Sequence, residues 1–126
     1  MHYALLIYQA ERIAENYSDE ETEAALAGHR ALQADAKAAG RFVEANQLMP
    51  PSSATTLRKR GEKVSITDGP FTESKELLIG FYVLECDSLD RAIAYAARIP
   101  HAETGAIEIR PIAYLETDEG VKFAPR

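Results

Sequence analysis

Residues 77–86 read LLIGFYVLEC. A half-buried strand alternates apolar with polar side chains, but here apolar residues stand at both parities. The segment is therefore expected to be a central strand covered on both faces. That demand constrains the rest of the chain. Helices must cover one side of the sheet, and something else must cover the other.

Two stretches supply the helices. Residues 18–40, SDEETEAALAGHRALQADAKAAG, open on Ser18 or Asp19 as a cap, carry acids in the first turn and end at Gly40. Residues 88–100, SLDRAIAYAARIP, open on Ser88, place Leu89, Ile93 and Ala96 on one face and close at Pro100. The strands are expected at 2–9 (HYALLIYQ), at 41–51 (halted by Pro50 and Pro51), at 77–86 and at 106–116 (AIEIRPIAYLE). Residues 55–69 read as a hairpin turning near Gly61. Without that hairpin the order is β-α-β-β-α-β, an α+β ferredoxin-like arrangement. Such a fold packs both helices on one sheet face, and a second copy of the chain is the commonest cover for the other. One parity of the first strand, Tyr3, Leu5 and Ile7 or else Ala4, Leu6 and Tyr8, should lie on that second face. The domain is expected over 1–116. Residues 117–126 show no period and read as a tail.

A chain of 126 residues fits one domain, and 46% hydrophobic with 27% charged residues is an ordinary globular composition. A formal net charge of −6 argues against nucleic acid as the main partner, because phosphate binding needs a basic face. The basic run LRKRGEK at 57–63 reads as a solvated hairpin tip. The lone cysteine, Cys86, permits no intrachain disulfide and follows an apolar run, as a buried inert thiol does. The start MHYALLIYQ lacks the basic flank and cleavage site of a signal peptide, and no run reaches the roughly 18 apolar residues of a membrane span. The expectation is a cytoplasmic protein with no membrane partner.

Few residues invite chemistry. At about 100° per residue, Ala25, Leu26, Leu32 and Ala36 all fall within about 60° of His29 on the first helix. His29 thus stands on the stripe that should face the sheet. One reading is a core histidine bonded to a backbone carbonyl or a tyrosine. The other is a general acid or base in a pocket between helix and sheet. Asp68 stands in TDGPFTESKE (67–76), before Gly69 and Pro70. It reads as a structural turn carboxylate, or as a carboxylate on a stiff mount aimed into a pocket. Lys75 and Glu76 follow that corner as solvated charges or ligand contacts. Arg110 either pairs with Glu108 or Asp68 or clamps an acidic ligand. His2, His29 and His101 are too scattered to argue for a metal. There is no Cys-X-X-Cys, no glycine-rich phosphate loop and no G-X-S-X-G elbow. An enzyme built from these residues would use acid–base chemistry without a cofactor.

The stretch TDGPFTESKE resembles the signature of the YCII-related family, in its DGPF subgroup. The likeness extends through MHYALLIY, LMPPSSATTLR, DGPFTESKELLIGFYVLE, SLDRAIAYAARIP and IEIRP, over roughly residues 1 to 113. It implies a ferredoxin-like fold assembled as a dimer, in the manner of a dimeric α/β barrel. The family resembles small cofactor-free enzymes such as muconolactone isomerases, and a histidine–aspartate pair has been proposed as its catalytic centre. The histidine of that pair falls on His29. The position of its aspartate holds Ala38, a departure from the pattern. Asp35 points about 120° away from His29 on a helix, which leaves Asp68 the better candidate. DGPF-type proteins also resemble gene neighbours of extracytoplasmic-function sigma factors. Three functions follow. The first is a cofactor-independent enzyme acting on a small acidic or phenolic molecule, with His29 as base or acid, Asp68 as its partner, and Arg110 or Lys75 as anion clamp. The second is a small-molecule-binding accessory to a sigma factor. The third is a purely structural dimeric module.

Overall fold

The structure is a computed structural model that describes residues 1–10, 17–72 and 74–125. Four strands form the main sheet: β1 (His2–Ala10), β2 (Phe42–Gln47), β5 (Glu76–Glu85) and β6 (Gly105–Pro111). They lie in the order β2-β5-β1-β6, and every neighbouring pair is antiparallel. Helices α1 (Asp19–Ala38) and α2 (Leu89–Ala97) complete an α+β unit compatible with a ferredoxin-like fold. The hairpin β3 (Thr55–Arg60) and β4 (Lys63–Asp68) stands apart as its own two-stranded sheet. Among the described residues, no helix is long and apolar enough to cross a membrane.

The sheet faces follow from alternation. Along β1, Tyr3, Leu5, Ile7 and Gln9 are buried, and the residues between them are half-buried. Cross-strand partners share a face. Leu5 therefore stands with Tyr82 and Ala45, and Tyr3 with Leu84 and Phe42. This face joins Leu32 and Ala36 of α1 and Ala92, Tyr95 and Ala96 of α2 in one core. Ala4, Leu6 and Tyr8 take the opposite face with Val83 and Phe81.

Both helices end where their residues require. Ser18 Oγ accepts the Glu21 amide at 3.1 Å, with Asp19, Glu20 and Glu21 in the positive first turn of α1. At its other end the Gly40 amide donates to Lys37 O and the Arg41 amide to Ala36 O, the paired bonds of a Schellman stop. Ser88 caps α2 by accepting the Arg91 amide at 3.2 Å. The buried face of α2 differs from expectation. Ala92, Tyr95 and Ala96 are buried, whereas Leu89 and Ile93 are 49% and 46% exposed. Small alanines let the helix lie close to the sheet, with the tyrosine ring filling the remaining volume. The helix also stops at Ala97, and Pro100–Ala102 form a single 3-10 turn.

The C-terminal segment is not a tail without structure. Pro111, which has no amide proton, ends β6. A second hairpin then forms from β7 (Tyr114–Thr117) and β8 (Gly120–Phe123), with the Tyr114 and Phe123 rings 5.3 Å apart. Four residues per strand are too few to register as a period in the sequence.

Candidate functional site

Three residues far apart in sequence meet between α1 and the sheet. Tyr82 lies on β5, at the register position facing the helices, and is 2% exposed. His29 is on the stripe of α1 above it. Tyr82 Oη lies 2.6 Å from His29 Nδ1. Gln33, one helical turn further along α1, donates from Nε2 to the same hydroxyl at 3.3 Å. His29 Nε2 lies 3.2 Å from His101 Nδ1 in the 3-10 turn. The Tyr17 ring stacks on His101 with centroids 5.9 Å apart.

A glycine brings the two histidines together. A Cβ on Gly28 would stand 2.7 Å from Pro100 Cγ. Because Gly28 has none, the 3-10 turn approaches α1 closely, and the residues that follow each of these two, His29 and His101, reach hydrogen-bond distance.

The cluster lines a cavity of about 740 Å³. Phe42, Leu48, Met49, Leu77 and Ile79 supply much of its apolar wall. Gln9, wholly buried on β1, also lines it and donates from Nε2 to Thr104 Oγ1 at 2.9 Å. Asn46 is another lining residue, and its Oδ1 is buried without a hydrogen-bond partner among the described residues. Such an acceptor carries an uncompensated desolvation cost.

Burial sets the charge state. It drives the His29 pKa down from 6.5 to about 4, and the neighbouring His101 charge pushes the same way. Burial lowers His101 too, and it raises the Tyr82 phenol. At neutral pH the cluster is therefore uncharged: two neutral imidazoles and a phenol. Among the described residues, no group of three or more His, Cys, Asp or Glu is placed to hold a metal ion. Cys86 is buried, and desolvation raises its thiol.

Of the residues singled out from sequence, the cavity gathers His29 alone. Asp68 ends β4 opposite Thr55, exposed, and is neither a lining residue nor a partner of His29. Lys75 and Glu76 are exposed at the start of β5, and Arg110 is exposed on β6 opposite Ala4. None of the three lines the cavity. The corner beside Asp68 is well held. The Gly69 amide donates to Ala54 O, Thr56 Oγ1 donates to Gly69 O at 2.7 Å, and Gly69 takes a φ of 98° that a side chain would resist. Phe71 is nevertheless 68% exposed, with the Arg58 guanidinium 4.7 Å from its ring centre.

Sequence reasoning missed Gln9, Tyr17, Gln33, Tyr82 and His101. Gln9 carried a signal: it shares the parity of Tyr3, Leu5 and Ile7, so it is a polar residue in a buried register. Gln33 stands one turn from His29. Tyr82 was hidden inside an apolar run, and His101 lay beyond a helix-ending proline.

This geometry defines a class: a small α+β domain with a cavity lined in part by hydrogen-bonded imidazoles and a phenol. Residues 1–116 match the family model of the YCII-related domain. The chain is also 37% identical over 121 residues to an uncharacterised protein of Rhizobium meliloti (strain 1021), an alignment covering 94% of this chain and 98% of that one. The chain belongs to the YCII-related family.

Proposed function

We propose that the chain binds a small, largely apolar molecule in the cavity between α1 and the sheet and acts on it by cofactor-free acid–base chemistry. One observation carries this reading: the hydrogen-bonded His29, Tyr82 and His101 line a cavity of about 740 Å³ together with the apolar side chains of Phe42, Leu48, Met49, Leu77 and Ile79. Ligand sites commonly enclose roughly 300–1,000 Å³ with a few convergent polar groups in an apolar wall. A neutral imidazole donates from one ring nitrogen and accepts at the other, so the hydrogen-bonded pair can pass a proton to or from a ligand with no charged group at rest, and burial keeps both imidazoles neutral near pH 7. A flat molecule with one oxygen-bearing end, such as a phenol or a small carboxylic acid, suits that division of the walls. In this reading the chain is a DGPF-type member of the family, and the Asp68 corner is a structural mount.

The functional unit is a homodimer in this proposal. Leu6, Tyr8 and Phe81 are half-buried on the sheet face turned away from the helices, and a second copy would cover what remains exposed. Glu108 and Arg110 lie on the same face by register, opposite Leu6 and Ala4. Their role would then be at the dimer interface. Light scattering should report about twice the chain mass of 13.9 kDa.

Comparison of His29→Gln with His29→Ala tests the site. The glutamine variant should fold as the parent does and lose turnover of any phenol or carboxylic acid found to be a substrate. Binding lost with no turnover to lose would instead support a sensing module, the behaviour of a sigma-factor accessory. If both variants only unfold more easily, with binding and turnover intact, His29 is a core residue and the proposal fails.

A further inference from the structure

Hydrogen-bond direction along the cluster separates the roles of its two histidines. Gln33 Nε2 can only donate, so Tyr82 Oη accepts from it. Among the described residues, the other partner of that hydroxyl is His29 Nδ1 at 2.6 Å. If Tyr82 donates there, every polar atom of the pair is satisfied. If His29 donated instead, the buried Tyr82 proton would have no acceptor among the described residues, a costly arrangement. His29 Nδ1 therefore carries no proton, and a neutral imidazole has its single proton on Nε2. That N–H donates to His101 Nδ1 at 3.2 Å. His101, neutral in turn, keeps its own proton on Nε2. The chain of donors runs Gln33 to Tyr82 to His29 to His101, and both ring nitrogens of His29 are used within it.

The geometry points to His101, not His29, as the imidazole that meets the ligand, presenting Nε2–H to an oxygen acceptor on it. This rests on the cavity being a small-molecule site. His29 and Tyr82 are then positioning residues that fix the tautomer of His101, while Tyr17 stacks on its ring and Gly28 admits the turn that carries it. The ligand class is correspondingly narrowed to molecules that offer a carbonyl, carboxylate or phenolic oxygen to His101. No carboxylate is among the hydrogen-bond partners of either histidine in the described residues. Among the described residues, Tyr82 from β5 bonds the pair and Tyr17 stacks on it, with Gln33 of α1 bonded to Tyr82.

Long-range proton–nitrogen NMR of the full chain at neutral pH, without any ligand, decides the point. Both histidines should be neutral with the proton on Nε2, and Tyr82→Phe should release both into tautomer mixtures. A proton on Nδ1 of either histidine in the parent protein overturns the inference, as would tautomers unchanged by Tyr82→Phe. Addition of phenol, benzoate and salicylate in turn gives a second test. The His101 Nε2 resonance should shift more than either nitrogen of His29, and a shift confined to His29 would overturn the assignment. If none of the three probes perturbs any cavity residue, the small-molecule reading fails while the tautomer spectrum still judges the donor chain.

Discussion

The α1–sheet cavity and the Asp68–Phe71 corner are built by opposite means. The corner is a contiguous motif whose backbone is hydrogen-bonded to Thr56 and Ala54, yet its aromatic ring and its carboxylate lie exposed. The cavity cluster comes from three separate segments, and its members are buried or half-buried and hydrogen-bonded to one another. A conspicuous run of residues therefore marks a turn that shapes the chain. The candidate site collects where the fold brings isolated polar residues onto one buried face.

The contrast can be broken first at the level of stability. Leu84 is fully buried in the core beneath the helices. Leu84→Ala should cost about 2–5 kcal/mol in denaturant unfolding. Phe71→Ala should cost within about 0.5 kcal/mol, as exposed positions usually do. A Phe71 loss as large as that of Leu84 would mean that a partner covers the corner.

Close approach gives the next effect. A Cβ on Gly80 would meet the backbone oxygen of Asn46, and one on Gly105 would meet that of Tyr8. Neither neighbour can yield as a side chain would. Either alanine variant should lose about 1–3 kcal/mol, measured the same way. At Gly69 an added Cβ would meet nothing within 4 Å, so the cost of alanine there should come from its positive φ alone.

Tyr82→Phe removes the hydroxyl that satisfies both Gln33 and His29. It should cost about 1–3 kcal/mol, because the partners stay behind without it. The smallest effect belongs to the surface ion pair of Arg41 with Asp87 at 2.8 Å. Asp87→Asn should leave the denaturant midpoint close to that of the parent, and closer still in high salt.

Much of the fold was legible in the sequence. Period and punctuation located β1, α1, β2, the β3–β4 hairpin, β5 and α2 to within a few residues. Those signals are local: a capping serine, a stopping glycine, a run apolar at both parities. The second hairpin was not legible, because β7 and β8 are each too short to show alternation. The rotation of α2 was missed because alanines carry almost no hydrophobic signal, although they pack closest. For the site, the helical wheel alone put His29 on the sheet-facing stripe. Its partners depend on register: Tyr82 faces His29 because Leu5 pairs with Tyr82 across β1 and β5. His101 depends on the close approach of Pro100 to Gly28. Neither is a property of neighbouring residues.

His29 sits neutral, desolvated and hydrogen-bonded to Tyr82 and His101, with no carboxylate partner among the described residues. Its pKa in the fold, near 4, lies below the ordinary 6.5. Between those values the unfolded chain holds more protons than the folded one, so stability rises with pH across that window. The contribution is complete above the ordinary value and is lost as pH falls toward about 4. Direct NMR titration of the His29 ring reads this without reference to any ligand. The expected midpoint lies well below 6.5, near 4. A midpoint at or above 6.5 would mean that His29 is solvated or paired with a carboxylate, and would contradict the cluster described for this cavity.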